Sequence, residues 1–502
     1  MKWNGFVGSS YKMDSLPISA QVCINWYPET ETNEDAATRR SLQPTPGYLE
    51  AVEVTDPSLP SGSYTRAMYR TSRGLGLLPE SGGSIIQVVG NIVYWFKPAT
   101  LTYEALGTIT NTVSKISMVD DGFGLIIVDG VKIYRLDLKT KAFTTVSFNL
   151  TNPTSVAFMG GYTLVIGEDE NLPQNTFFFS GLYDNSSWSA LDYYSAEQSQ
   201  DPITAMIVSG TYVYVFGPNS YELWTTTDDQ DSPFKRAYAS SGAIGIHAPL
   251  SLTKQGNKIL MIGTSNQGNA AAFQSNGTDM VKVSTVALEK EWSKFDVSDC
   301  TSWAESTEGH DFVHFNFDAM DKTYTYGVNQ GDWHERASRD EILDTLHRWE
   351  PNYGIQFNGI TYVGDRNSTK VFTMGPQYAT ENGRNIIRER VPSHQNAEQK
   401  VVRYDAVRFD MVTGNGITNE EPGRYTEAPI VMFGYSHDQG RTWSSEIRRP
   451  FGATGQYETA VEFKRLGSAR NLTVRFRISD PCRTAILNGW VYPIVAQRGR
   501  RG

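Results

Sequence analysis

The feature that most constrains the fold is a turn followed by a short apolar segment, which recurs from about residue 66. Every turn contains glycine, and the segments are rich in the β-branched and aromatic residues typical of strands. The units begin at Gly90-Asn91, Asp121-Gly122, Gly160-Gly161, Ser209-Gly210, Gln255-Gly256-Asn257, Glu308-Gly309 and Asn358-Gly359. They lie roughly 30 to 55 residues apart, a spacing that four-stranded propeller blades produce.

The repeat predicts an all-β fold containing a β-propeller of six or seven blades. The chain has 44 Gly, 26 Tyr, 23 Phe and 11 Trp, a mixture of turn formers and large strand formers that favours β-structure over helices. A β-sandwich also alternates turns with strands, so the repeat alone leaves that alternative open.

Three regions are predicted. Residues 1–65 are interrupted by Pro and Gly and contain few clear strands, so we interpret them as an N-terminal arm or docking segment in which Trp26, Tyr27 and Tyr48 need a packing partner. Residues 66–375 form the predicted propeller. Residues 376–502 contain longer alternating segments and predict an additional β-rich domain, which the N-terminal arm joins.

One helical insertion is predicted near 338–349, on the rim of the propeller. Ser338 to Glu341 matches a capping box, and Pro351 is a stop signal. The apolar residues between them have helical spacing: Ile342, Leu343, Leu346 and Trp349.

The most specific local motif is an Asp-box near the C-terminus. It consists of Ser436, Asp438, Gly440, Thr442 and Trp443. The Asp side chain of such a turn accepts backbone N–H groups, the Gly supplies a positive φ, and the Trp packs beneath. Apolar residues on both sides predict the tip of a β-hairpin. Asp-boxes occur in β-propellers and related folds, including sialidases, so the motif serves either an enzyme or the architecture.

A sialidase needs further groups that the sequence does not gather. It requires several Asp-boxes, an arginine cluster for the substrate carboxylate, a Tyr nucleophile with its Glu, and an acidic Asp. Only one clear Asp-box is present, and Arg441, Arg448 and Arg449 are interpreted as solvated surface around the hairpin. We therefore predict no catalytic residues.

No metal or cofactor site is predicted. On a strand, His310 and His314 stand about 13 Å apart, too far to share an ion. The run Asp228 to Asp231 lacks the Gly and the distal Glu of an EF-hand loop and indicates an acidic turn. Phosphate-binding loops, nucleophile elbows and zinc-protease motifs are not found in the sequence.

The net charge and the three cysteines indicate how the protein meets DNA and in which compartment it is made. The balance of 45 basic and 55 acidic side chains gives a net charge of −10, which argues against a surface that grips DNA but permits DNA to pass through a channel. Cys23, Cys300 and Cys482 indicate buried or free thiols of a reducing compartment. The first residues lack a secretory signal, and apolar runs are too short for a membrane span, so we expect a soluble protein made in the cytosol. A small basic tail, 498–502, ends the sequence.

The order of segments between Phe178 and Glu289 is distinctive. They are Phe179 to Asp184, Trp188 to Tyr193, Ala196-Glu197, Asp201 to Ile203, Val215 to Gly217, Glu222 to Trp224, Pro233-Phe234, Ala248-Pro249, Ile262-Gly263, Val283 to Thr285 and Leu288-Glu289. Together with Asn25 to Glu29 near the start and Ser436 to Trp443, Arg465 to Gly467 and Arg475 to Pro481 near the end, this order resembles the packaged-DNA stabilisation proteins, or tail hubs, of short-tailed bacteriophages.

The resemblance implies a structural virion protein of the phage tail with a β-propeller and no catalytic residues. Six copies would form a hub or nozzle ring below the connector and adaptor, extend the DNA channel, retain the packaged genome and pass it during ejection. The implied partners are other copies of the chain, the head-to-tail adaptor and connector, other tail proteins (fibre, spike or needle), and double-stranded DNA that is not bound by sequence. An acidic lumen is expected, because it would repel phosphates.

Two alternatives remain open at the level of sequence. One is a glycan-binding or glycan-cleaving, sialidase-like propeller of the tail, supported only by the Asp-box. The other is a receptor-binding tail protein whose exposed aromatic residues meet the host surface.

Overall fold

The computed structural model describes residues 1–13, 15–16, 19–31, 40–76, 83–112, 116–148, 150–196, 201–264, 268–396, 400–418 and 427–494. Across these residues the chain is almost entirely β-structure, with one short α-helix, α1 (Val286–Trp292). None of the described helical segments is long and apolar enough to cross a membrane. The all-β prediction is therefore confirmed.

The first five strands are distributed over other parts of the molecule. They are β1 (Tyr11–Lys12), β2 (Ala20–Ile24), β3 (Trp26–Thr30), β4 (Arg40–Pro44) and β5 (Gly47–Glu53). Strands β2 and β4 pair with strands of the C-terminal region, β3 pairs with β4, and β5 pairs with a strand near residue 370.

The central region is a propeller. The strands of its first five blades are β6 (Thr65–Arg70), β7 (Ile85–Val89), β8 (Ile92–Lys97), β9 (Thr102–Thr108); β10 (Ser117–Asp120), β11 (Gly124–Val128), β12 (Ile133–Asp137), β13 (Phe143–Thr145); β14 (Thr151–Met159), β15 (Tyr162–Glu168), β16 (Thr176–Gly181), β17 (Asp184–Ser195); β18 (Ala205–Ser209), β19 (Tyr212–Phe216), β20 (Tyr221–Thr226), β21 (Phe234–Gly242); and β22 (Gly245–Gln255), β23 (Lys258–Thr264), β24 (Ala270–Asn276), β25 (Asp279–Lys282).

The sixth and seventh blades complete the ring. Their strands are β26 (Thr301–Thr307), β27 (His310–Phe317), β28 (Lys322–Gly327) and β29 (Asp332–Asp340), then β30 (Thr345–Arg348) beside β29, and β31 (Pro351–Phe357), β32 (Ile360–Asp365) and β33 (Lys370–Gly375). The innermost strands β6, β10, β14, β18, β22, β26 and β31 contact one another in a closed cycle. The described residues therefore form seven blades, which decides between the six and seven expected.

The N-terminal strand β5 closes the ring. It pairs antiparallel with β33, from Lys370 opposite Glu53 to Gly375 opposite Gly47, and so supplies the fourth strand of the seventh blade. Because this strand precedes the first blade in sequence, the last blade cannot be completed without the N-terminal segment. The closure links chain positions more than 300 residues apart, a nonlocal pairing.

A β-sandwich follows the propeller. The remaining strands are β34 (Thr380–Glu381), β35 (Arg384–Asn385), β36 (Arg388–Val391), β37 (Gln395–Asn396), β38 (Val402–Met411), β39 (Ile430–Ser436), β40 (Ile447–Pro450), β41 (Val461–Lys464), β42 (Ser468–Ala469), β43 (Asn471–Ile478) and β44 (Ile486–Ile494). One sandwich sheet has the order β2-β36-β43-β39-β40 and the other β3-β4-β44-β38-β41. The additional β-rich domain that includes N-terminal strands is thus confirmed.

The propeller and the sandwich share a sheet. Strand β2 pairs with β29, the outer strand of the sixth blade, through Ile24 opposite Glu335. The first sandwich sheet is therefore joined to the sixth blade in one sheet through this residue pair. Between the two sandwich sheets lies an apolar core to which the N-terminal residues Trp3, Phe6 and Trp26 contribute.

The predicted helix near 338–349 is wrong. Ser338 to Asp340 continue β29, which pairs with β30, and residues 341–344 form the turn between them. Asp340 Oδ1 accepts the N–H groups of Ile342 and Leu343 at 2.8 and 3.0 Å. An Asp makes the same local bonds at a tight turn as at a helix start, which explains the error. The actual helix α1 begins after Thr285, whose side chain accepts from Leu288 N, and was not anticipated.

Tyr48 on β5 provides a test of the ring closure. Its side chain is fully buried against Phe372, at 4.9 Å between ring centroids, and Trp303. We expect Tyr48→Ala to lower the free energy of unfolding by about 3–5 kcal/mol, because a large buried side chain is lost. Leu49→Ala, at an exposed position of the same strand, is the control and should change it by less than about 0.5 kcal/mol in urea unfolding. Equal losses in the free energy of unfolding for the two variants would contradict the closure of the ring by β5.

Candidate functional site: the junction of propeller and sandwich

The propeller and the sandwich meet at Asn25, which lies between β2 and β3. Its φ of 55° is left-handed, a conformation that Asn tolerates better than most residues. The buried side chain donates through Nδ2 to the carbonyls of Ala337 and Ile387, each at 2.8 Å, and accepts from Ala337 N at 3.0 Å. Its own N–H donates to Glu335 O at 2.9 Å, and its carbonyl accepts from Thr45 N at 3.2 Å. One residue therefore satisfies backbone groups of the sixth blade and of the residues next to β36 and β4, one strand in each sandwich sheet.

Arg390 on β36 holds the N-terminal residues against the same junction. Its buried guanidinium donates to the carbonyls of Phe6, Ser9, Val22 and Gly5, at distances from 2.7 to 3.2 Å, and to the Gln21 side chain at 3.1 Å. Burial lowers the pKa of Arg390 to about 10, so the group stays charged at neutral pH. The five oxygen partners replace the water that such a cation loses.

A buried ionic group lies within the sixth blade, on strands β26, β27 and β29. Glu305 Oε1 is 3.0 Å from Arg336 Nη2 and 3.0 Å from His314 Nε2, while His314 Nδ1 is 2.9 Å from Thr325 Oγ1. Burial lowers the pKa of His314 to about 4, so this histidine is neutral at physiological pH. The Arg336 guanidinium lies 4.7 Å from the ring centroid of Trp349. His314 is therefore one element of a structural network that packs blades six and seven together.

A second group lies where the seventh blade meets β34 and β35. Arg384 Nη1 is 2.7 Å from Glu350 Oε1, and Glu350 also accepts from the Tyr48 hydroxyl at 3.0 Å. Nearby, the buried Glu381 accepts from Trp349 Nε1 at 3.0 Å. Burial, followed by the charge of Glu350, raises the pKa of Glu381 to about 7. Glu381 therefore changes its charge near neutral pH inside the junction.

The Asp-box residues form the tight turn that follows β39. Asp438 Oδ1 accepts from Arg441 N at 3.0 Å and from Thr442 N at 2.9 Å, and Oδ2 accepts from the Thr442 hydroxyl at 2.6 Å. The Ser436 hydroxyl donates to Asp438 Oδ1 at 2.7 Å and accepts from Gly440 N at 2.8 Å. Bonds from Ser436 and then Thr442 hold the pKa of Asp438 well below its usual range. The carboxylate is fully engaged in its own turn.

The surroundings of the Asp-box also differ from those of an anion site. Gly440 has a φ of 92°, and a side chain there would approach the ring of Trp443. The guanidinium of Arg475 lies 5.1 Å from the Trp443 ring centroid. Arg448 and Arg449 are exposed neighbours on the edge strand β40, so their side chains point to opposite faces of the sheet. These two arginines therefore do not converge on one ligand.

The centre of the propeller contains a cavity of about 980 Å³, lined by the innermost strands of all seven blades. Glu168 and Lys254 are the only charged residues among the described residues that line it. Its volume is at the upper end of small-molecule pockets, about 300–1,000 Å³.

The remaining candidate residues from the sequence make contacts that belong to the fold. Cys23, Cys300 and Cys482 are buried free thiols, and burial raises the pKa of Cys23 and of Cys482 to about 12. His310 Nε2 is 3.7 Å from Glu29 Oε1, and Asp229 Oδ1 accepts from Asp231 N at 3.0 Å within an exposed turn. Within the part of the chain that the structure describes, acidic, His and Cys side chains do not form a group of three suited to a metal ion. The basic tail 498–502 lies outside the described residues.

Two family models match the chain in the order of its two domains. The model described as "Bacteriophage P22 Gp10, beta-propeller" matches residues 71–379, and "Bacteriophage P22 Gp10, beta-sandwich" matches residues 387–491. Together they cover most of the 502 residues. The chain belongs to the Gp10 family.

The Gp10 family is that of the packaged-DNA stabilisation protein of bacteriophage P22. The chain is therefore a phage structural protein, and the resemblance noted in the sequence is confirmed. No curated protein sequence matches the chain.

Solved structures with a similar fold are distant. The extracellular domain of a hybrid two-component system from B. thetaiotaomicron is 9% identical, with a TM-score of 0.43; the match covers 83% of this chain and 47% of that one. The WD40 β-propeller domain of Doa1 is 11% identical, with a TM-score of 0.39, and the match covers 66% of this chain and 97% of that domain. The chain thus spans about half the length of the first structure, and these likenesses do not bear on function.

Asn25→Ala tests the junction. The change leaves the backbone groups of Ala337 and Ile387 without their partner, so we expect the free energy of unfolding to fall by about 3 kcal/mol. Asn358→Ala is a matched control, because Asn358 has a φ of 50° in an exposed turn and should cost only the left-handed preference, about 1 kcal/mol. Urea unfolding measures the change in the free energy of unfolding for both variants. Equal losses would show that the side-chain bonds of Asn25 contribute nothing.

Asp438→Ala tests the Asp-box as a fold element. Loss of the turn bonds should lower the free energy of unfolding by about 1–2 kcal/mol, as for lost helix caps. Asp228→Ala, in the exposed acidic turn, is the control and should have little effect. An enzymatic role would be indicated instead if the wild-type chain cleaved sialosides and the Asp438 variant, with unchanged stability, did not.

The raised pKa of Glu381 predicts how the free energy of unfolding depends on pH. Its pKa in the folded chain, about 7, lies above the ordinary value of 4.5, so the folded state holds this proton more tightly than the unfolded state. Stability should therefore decrease as pH rises from about 4.5 to about 7.

Glu381→Gln should remove this decrease and stabilise the chain at pH 8 by up to about 3 kcal/mol. Urea unfolding across this pH range measures both effects, and Glu458→Gln, at an exposed position, is the control. Identical pH profiles for wild type and the Glu381 variant would contradict the assignment.

Proposed function

We propose that this protein is the hub or nozzle of a phage tail. In this role several copies, six by analogy with the family, form a ring below the connector and adaptor, extend the DNA channel, retain the packaged genome and let it pass during ejection. The observation that carries the proposal is the match of both domains to Gp10 across 71–379 and 387–491.

The shared sheet between the sixth blade and the sandwich supports this role. A wall around packaged DNA has to resist deformation, and the pairing of β2 with β29 joins the two domains in one hydrogen-bonded sheet. A block of this kind can repeat by heterologous contacts that close into a ring.

The charge of the chain supports the passage of DNA. With a net charge of −10, the protein lacks the excess of cations that sequence-independent DNA binding requires. We propose that the surface lining the channel is acidic or neutral, so that phosphates are repelled and the genome leaves without being held. A strongly basic lumen in the assembled ring would contradict this part of the proposal.

Phage particles made without this protein test the role. We expect them to package DNA and then lose it, so that their DNA becomes accessible to nuclease, and we expect purified chain to restore retention when it is added during assembly. The Tyr48→Ala variant, whose propeller closure is weakened, serves as the control protein and should restore less. Particles that retain their DNA and infect normally without the chain would contradict the proposal.

A further inference from the structure

Two exposed surfaces carry apolar residues that the fold leaves uncovered. The first is the turn between β29 and β30, where the side chains of Ile342 and Leu343 are 93% and 67% exposed. Asp340 accepts the N–H groups of both residues, and Arg339 bonds Asp344 at 2.9 Å, so the turn is fixed. We call residues 341–344 the acidic tip, because Glu341 and Asp344 flank the two apolar residues.

The second surface is the outer side of the second sandwich sheet. Trp490 and Tyr492 alternate with core residues on β44 and are 36% and 42% exposed. Trp490 lies opposite Arg408 of β38 on one side and opposite Lys2 on the other. We call the surface around these residues and Lys464 of β41 the basic aromatic face. It also carries two carboxylates, Glu462, which bonds Lys464 at 2.9 Å, and Asp410, two residues after Arg408 on β38, so three cations stand against two anions.

We propose that the acidic tip of one copy packs on the basic aromatic face of a neighbouring copy. Ile342 and Leu343 supply an apolar pair for Trp490 and Tyr492, and Glu341 and Asp344 meet Arg408 and its neighbouring lysines. Trp, Tyr and Arg are the residues that contribute most to protein interfaces. The tip is already ordered in the single chain, so little entropy is lost when it docks.

The contact would be heterologous, because the two surfaces differ and lie on different elements. Such a contact repeats from copy to copy and generates a ring when the rotation closes. The inference therefore rests on the proposed ring and assigns its contact surfaces. A basic aromatic face also suits stacking on single-stranded nucleic acid, but that occupant leaves the exposed tip unexplained.

Sedimentation velocity of the full-length chain at increasing concentration tests the contact. The tip variant carries Ile342→Asp and Leu343→Asp, and the face variant carries Arg408→Glu and Trp490→Ala. We expect the wild-type chain to self-associate and each variant alone to associate at least about 10-fold more weakly, as for the loss of interface anchors. Val131→Asp, at an exposed apolar position in the second blade, is the control and should behave as wild type.

Mixing the two variants gives the sharper result. One intact tip can meet one intact face in each mixed pair, so the mixture should form dimers and nothing larger. Glu341→Arg and Arg408→Glu should each weaken association and should restore it in part when both are present. Circular dichroism of each variant verifies that it is folded.

Three outcomes would overturn the contact. A wild-type chain that stays monomeric over the whole range excludes it, and so do variants that associate as strongly as wild type. Loss of single-stranded DNA binding in the face variant, with association unchanged, would assign the face to nucleic acid. Each result is separate from the DNA-retention assay with phage particles, which tests the tail role itself.

Discussion

The hydrogen bonds of Asn25 are the interaction on which the rest of the structure depends. At this position the chain crosses from one sandwich sheet to the other, and the side-chain amide bonds β29 of the propeller and the residue before β36. Without these bonds, buried backbone groups at the meeting point of three strands would lack partners, at about 1–3 kcal/mol each. The left-handed conformation of Asn25 is therefore retained because the surrounding bonds outweigh its strain.

Buried charges reinforce the same region. Arg390 is enclosed by carbonyl oxygens of the N-terminal segment, and Glu305 pairs with Arg336 within the sixth blade. Buried ion pairs add little net stability compared with an apolar core, but removal of one partner is costly, so they favour one arrangement over its alternatives. In this chain Arg390 fixes the N-terminal segment on sandwich strand β36, and the Glu305–Arg336 pair holds β26 and β29 of the sixth blade together. This arrangement gives the block that the proposed ring requires.

The features that could be predicted from the sequence are those that residues close together in the chain determine. Glycine turns followed by apolar strands specified the propeller, because each hairpin is encoded by adjacent residues. The closure by β5 was not predicted, since its partner β33 lies more than 300 residues away. The pattern at 338–349 predicts a helix where the structure has a hairpin, because Asp340 makes the same local bonds in either structure. Arg390 and Glu305 could not be predicted in this way, since charges in strands usually face solvent. The available signal was the charged run Arg388-Glu389-Arg390 between Ile387 and Val391.

The central claim is that propeller and sandwich form one rigid block, and a distance between spin labels tests it most directly. The three native cysteines are buried, so cysteines introduced at the exposed positions of Tyr183 in the third blade and Tyr457 in the sandwich can be labelled selectively. Pulsed electron–electron double resonance should give a single narrow distance distribution, and Asn25→Ala should broaden it. A broad or bimodal distribution in the wild-type chain would contradict the account.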